Sequence, residues 1–170
     1  MNTTRRVAFS GILAALAVAL MLLGEIIGVG TYASPMLAGL VLLFAGKEYG
    51  RKTHFLLYTA VSLLSALVVG DAEETLIFVT VFGLYPVLRQ SFEKLPRGLR
   101  LISKLLYFNA VAILSEWLVM TLFVPAAEEP WLLWVLLAAG NFAFLIYDAV
   151  IPRLLLLYDL RLKKLFTGRR

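Results

Sequence analysis

The stretch VAFSGILAALAVALMLL, Val7 to Leu23, follows Arg5 and Arg6 directly and contains no charged residue. As a helix rising 1.5 Å per residue it is about 26 Å long, close to the thickness of a hydrocarbon layer. A basic pair ahead of an apolar run also opens secretory signal peptides. This run is longer than their apolar region and further apolar segments follow it, so it reads as an uncleaved first membrane helix.

Working outward, clusters of charge, Gly and Pro divide the chain into six apolar segments, about 7–28, 34–46, 53–69, 74–91, 99–124 and 131–159. Composition agrees: 61% of the 170 residues are hydrophobic and 16% charged, whereas soluble domains run near half and a quarter. The expected fold class is an all-α integral membrane protein, a single six-helix transmembrane domain over 1–170 without repeats or linkers. The second segment, Ser34 to Gly46, is too short to span the layer upright, so it is expected to be tilted, packed inside the bundle or partly inserted.

The 16 Lys and Arg lie ahead of the first segment, between the second and third, around the junction of the fourth and fifth, and from Arg153 onward. With six crossings all of them fall on one side. The other side carries Asp71, Glu73 and Glu74, then Glu128 and Glu129. The positive-inside rule therefore places both termini in the cytoplasm, and the net charge of +5 serves orientation rather than nucleic-acid binding. The amphipathic stretch Arg161-Leu-Lys-Lys-Leu-Phe166 suits a helix end resting on anionic headgroups.

Catalytic chemistry finds little to work with, and no enzyme activity or cofactor is expected. There is no Cys, and His54 is the only histidine, which removes thiolate chemistry and His-rich metal sites. No phosphate loop, Gly-x-Ser-x-Gly elbow or His-Glu-x-x-His helix occurs. Glu73-Glu74 begins like an intramembrane Glu-Glu-x-x-x-Arg protease motif, but Phe78 stands where Arg is required. His54, beside Lys52, is expected at the cytoplasmic interface, and Gly28 and Gly30 mark a flexible loop leaving the first helix.

Polar side chains within apolar helices are costly and are the natural candidates for function. Glu25 is about 27 Å along the first helix and Glu116 is similarly far along the fifth. Asn109 and Asn141 sit at matching depth near the midplane, where they either bond across two helices or line a site. Asp148 is expected to pair with Arg153 or Arg89. Glu116 needs a cavity, a proton or a partner, and Tyr32, Trp117, Trp131, Trp134 and Tyr147 offer aromatic walls, Trp131 reading better as an interfacial anchor.

The opening run Arg5-Arg6-Val7-Ala8-Phe9-Ser10-Gly11-Ile12-Leu13-Ala14-Ala15-Leu16-Ala17-Val18-Ala19 resembles the first helix of substrate-binding S components of energy-coupling factor (ECF) transporters, bacterial vitamin-uptake proteins. Helix count, size and the short second segment resemble them too. The local motif is the small-residue pattern Gly11, Ala15 and Ala19. The resemblance implies a subunit of the bacterial cell membrane that captures a vitamin-like small molecule from outside. It would then dock onto a membrane coupling component driven by two ATPase subunits in trans. It also implies a site in the outer half of the bundle, closed by the loop between the first two helices, with Glu25, Tyr32, Ser34 and Glu116 around it and Asn109 and Asn141 as its floor. Acidic side chains there would suit a cationic or hydroxyl-rich ligand.

A non-transporting scaffold resembling cell-shape membrane proteins of the MreD type has similar size and helix count, and would need no cavity. A proton or ion pathway ranks last, because few polar groups connect Glu116 to Asp148. The charge pattern makes a direct prediction: a cysteine at Glu73 or Glu129 should react with an impermeant thiol reagent in intact cells. One at Lys94 should stay unlabelled, and its labelling would reverse the orientation.

Overall fold

The computed structural model describes residues 3–28, 32–122 and 130–162. Among these no strand occurs, and the architecture is all-helical. Helices α1 (Thr3–Ile27), α2 (Ala33–Tyr49) and α3 (Arg51–Val68) are followed by a composite rod. The rod comprises α4 (Ala72–Ile77), a π-helical turn (Phe78–Phe82) and α5 (Tyr85–Phe92). Next come α6 (Arg97–Leu122) and α7 (Pro130–Leu157), which ends in a second π-helical turn (Tyr158–Leu162). Four stretches are long and apolar enough to cross a membrane: Thr3–Ile27, Ala72–Phe92, Arg97–Val119 and Trp134–Arg161.

Helix α2 is the central post. It buries Ser34, Pro35, Ala38, Gly39, Leu42 and Leu43 and packs against α1, α3, the composite rod and α7. Its shortness thus reflects enclosure by the other helices. One core joins Leu13, Ala17 and Met21 of α1 to Leu42 of α2 and Leu57 and Val61 of α3. A second joins Leu43 of α2 to Phe82 and Tyr85 of the rod, Phe108 of α6, and Phe144 and Tyr147 of α7. Gly50 turns the chain between α2 and α3 at φ +85°, a conformation that suits a residue lacking Cβ. Large apolar side chains such as Ile12, Leu67, Leu106 and Trp134 remain exposed around the perimeter, which suits a lipid surround better than water.

The composite rod carries the main irregularity, and its cause is legible in Phe82-Gly-Leu-Tyr-Pro86. Pro86 has no N–H to give the carbonyl four residues back, that of Phe82, and a π turn leaves neighbouring carbonyls displaced from their usual partners. Each vacancy is filled by a tyrosine from a different helix. Tyr147 of α7 donates to the Phe82 carbonyl at 2.9 Å, Tyr58 of α3 to Val79 at 2.7 Å and Tyr107 of α6 to Thr80 at 2.7 Å. Irregular backbone in an apolar surround persists only when its polar groups are met by protein in this way.

Helix α2 reaches this turn so closely that a Cβ built on Gly39 would lie 2.3 Å from the Phe82 carbonyl oxygen and 2.6 Å from the Tyr147 hydroxyl. By contrast, a Cβ on Gly11 would meet nothing within 4 Å. Gly39→Ala should therefore lower thermal stability in detergent by about 1–3 kcal/mol through overpacking. Gly11→Ala should leave it unchanged or raise it by up to about 1 kcal/mol through helix propensity. Equal melting of the two variants would show that the approach of α2 to the π turn is not as close as described.

Candidate ligand cavity

A cavity of about 510 Å³ opens at the end of the bundle that carries no Lys or Arg. Tyr32 and Met36 at the start of α2 border it, as do Glu73, Ile77 and Phe82 of the rod. Helix α6 contributes Phe108 to Val119, including Ser115 and Glu116, and α7 contributes Leu136 to Ala143. Most of this wall is hydrocarbon, so the polar groups count individually. Tyr32 donates to the Glu73 carboxylate at 2.8 Å, tying the start of α2 to the first turn of α4. The Ser115 hydroxyl is engaged with Thr80 at 2.8 Å and with the Val111 carbonyl at 2.9 Å.

Of the six ligand-binding candidates from the sequence, Tyr32 and Glu116 border this cavity and four stand elsewhere. Glu25 accepts the backbone N–H of Gly70 at 3.1 Å, bracing the end of α1 against the turn after α3. Ser34 is buried and donates to Glu74. Asn109 and Asn141 form a reciprocal amide pair, at 2.8 and 2.9 Å, and each also donates to the carbonyl four residues before it. With every N–H of both amides used, the pair fastens α6 to α7 and leaves no donor for a ligand. It is a helix-to-helix clasp of the kind membrane amides make.

The acidic triplet after α3 also divides. The sequence places Asp71, Glu73 and Glu74 together in a loop. In the structure Asp71 caps α4, accepting the N–H groups of Glu73 and Glu74 at 2.9 and 3.1 Å. Glu73 reaches the cavity, and Glu74 is wholly buried with Ser34 as donor. The signal for this was present: an Asp followed by two acidic residues marks a helix start. A helix begun there puts Glu74, Ile77, Phe78 and Val81 on one buried face. Glu73 and Ser115 are polar cavity residues that the sequence reading missed.

At the opposite end, Asp148 is met by Arg89 at 2.8 Å, Lys104 at 2.7 Å and the Tyr85 hydroxyl at 2.6 Å. Arg89 is one of its two expected partners, and Lys104 takes the role considered for Arg153. Lys104, only 5% exposed at its side chain, also bonds Glu93 at 2.7 Å. Arg100 and Arg89 complete the ring around Glu93 at 2.8 and 3.1 Å. The network locks α5, α6 and α7 together far from the cavity. His54, in the first turn of α3 beside Lys52, is buried within the bundle. Gly46 makes the room, since a Cβ there would lie 2.6 Å from its Nδ1.

The small-residue stripe of α1 faces outward. Ala8, Gly11, Ala15 and Ala19 are exposed while Leu13, Ala17, Met21 and Gly24 form the buried face, so no described helix covers it. The expectations for Gly30, for Glu128 and Glu129, and for the basic stretch beyond Leu162 lie outside the described residues. No family profile, curated protein or solved structure matches the chain.

Glu93 follows α5, outside the membrane-length helices. Partial burial pushes its carboxyl up, but the Lys104 hydrogen bond and the charges of Arg89, Lys104 and Arg100 outweigh this and hold it below the usual carboxylate range. A carboxyl lowered by folding adds stability above its unfolded value, about 4.3, and loses it as pH falls through the lowered folded value. Thermal melts should therefore show a loss on acidification below about pH 4.3. Glu93→Gln should reduce stability at neutral pH and flatten that loss. An unchanged acid profile would mean that the ring of cations is not formed.

Proposed function

We propose that this chain is the substrate-binding membrane subunit of an ECF-type importer, holding a small molecule in the cavity and docking on a membrane coupling component with partner ATPases. The cavity is the observation that carries this reading. A membrane scaffold of the MreD type has no use for a space of about 510 Å³ bordered by Tyr32, Glu73 and Glu116. All three residues belong to regions that the charge pattern puts outside the cell, with both termini cytoplasmic.

The outward stripe on α1 supports the second half of the proposal. Small residues let a partner helix approach closely, and Ala8, Gly11, Ala15 and Ala19 lie exposed among Val7, Ile12 and Leu16. A coupling protein in the membrane would seat on Gly11, Ala15 and Ala19. ATP hydrolysis would come from its associated subunits, since this chain has no phosphate loop.

Ala15→Leu tests the docking face. The side chain points away from the cores, so the variant should melt like the parent and retain its ligand, yet lose uptake and co-purification with the coupling component from native membranes. Normal assembly and uptake would remove the stripe from the interface. If neither ATPases nor a small molecule accompanies the parent protein, the scaffold reading replaces this one.

A further inference from the structure

The cavity's chemistry narrows its ligand further, in an argument that rests on the binding reading above. Its described bordering residues include two carboxylates, Glu73 and Glu116, and no Lys, Arg or His. The absence is regional, for the chain has no Lys or Arg from 7 to 46, 53 to 88 or 105 to 152. The nearest cations along the rod and α6, Arg89 and Lys104, are spent on Asp148 and Glu93 at the other end. An anionic group brought into this low-dielectric space would face two carboxylates in a region whose sequence supplies no Lys or Arg. That disfavours carboxylate and phosphate ligands, phospholipid headgroups included.

A hydroxyl-rich ligand fares little better. Phe82, Phe108, Ile113, Leu137 and Ala143 offer it no hydrogen bond. Among the described bordering residues the Ser115 hydroxyl already bonds Thr80 and Val111, and that of Tyr32 is given to Glu73. Every sugar-like hydroxyl placed against that surface would lose water without replacement. Polar acceptors stand instead near helix ends, at the start of α2, the first turn of α4 and the last turns of α6. Hydrocarbon extends from there along α6 and α7.

We infer that the cavity takes a hydrophobic organic amine, an apolar ring or chain body of small-molecule size with a single ammonium directed to the Glu73 and Glu116 end. The body meets the hydrocarbon wall, and the ammonium supplies N–H donors and the charge that two carboxylates favour. Aromatic faces of Tyr32 and Trp117 at the same end add to the attraction for a cation.

The test uses the full chain in detergent with three bodies (phenylbutyl, naphthylmethyl and adamantyl), each carrying an amine, an alcohol or a carboxylate, and reads affinity by calorimetry. For at least one body the amine should bind about tenfold or more tighter than its alcohol, and the carboxylate weakest. Glu116→Gln and Glu73→Gln should each erode the preference for amine over alcohol. Ala143→Phe, which narrows the hydrocarbon wall, should weaken amine and alcohol alike. If alcohols or carboxylates equal the amines while Ala143→Phe still blocks them, the ligand class is overturned and the binding site stands. If no probe binds, or Ala143→Phe changes nothing, the inference fails together with the binding reading. A retained phospholipid that no amine displaces, seen by native mass spectrometry, would likewise assign the space to an acyl chain and overturn it.

Discussion

The architecture depends on how the rod at residues 72–92 keeps its backbone satisfied where no water is at hand. Pro86 and the π turn free the carbonyls of Val79, Thr80 and Phe82 from the helical ladder, and Tyr58, Tyr107 and Tyr147 cap them. An uncapped carbonyl there would cost about 1–3 kcal/mol. Because the three tyrosines come from α3, α6 and α7, the same bonds that repair the backbone also set the positions of three helices. The Gly39 contact brings α2 onto the same turn. With little hydrophobic gain available between helices in lipid, such close approaches and buried hydrogen bonds carry the packing.

From this centre the two ends of the bundle differ in kind. At the basic end, Asp148 and Glu93 gather Arg89, Arg100 and Lys104 into a continuous network that ties α5, α6 and α7. At the other end α6 and α7 separate enough, with the rod and the start of α2, to leave the cavity. The Asn109 and Asn141 pair lies between these regimes and fastens α6 to α7. The binding role we propose would suit this division: a stiff base that holds helix spacing, and a mouth whose polar groups are few. The Tyr32 to Glu73 bond joins α2 to α4 across the mouth.

Much of the fold was legible in the chain itself. Apolar runs of membrane length and the one-sided placement of Lys and Arg announce helices and a polarity, since both follow from the cost of burying charge and unpaired backbone in lipid. The stripe of Gly11, Ala15 and Ala19 was visible by period alone, and Asp148 read as a structural charge paired with Arg153 or Arg89, of which the structure uses Arg89. Glu116 was recognisable as a carboxylate that needed a setting, because one lone acid in an apolar helix is costly wherever it points.

Only the tertiary structure decided which side chains meet. Periodicity states that residues share a face but not what the face touches, so it could not say that the small stripe of α1 is exposed or that His54 packs into the space left by Gly46. Depth along a helix put Asn109 and Asn141 level, yet their mutual bonding, which withdraws their donors from a ligand, depends on the contact between α6 and α7. Asp71, Glu73 and Glu74 are equivalent as a run of acids. They become a cap, a cavity residue and a buried partner of Ser34 because a helix starting at Ala72 leaves Asp71 outside as its cap and turns Glu74 by about 100° from Glu73 against different neighbours. Composition and period are properties of the chain and survive in any packing, whereas a cavity is the volume left between helices, and that exists only once they are packed.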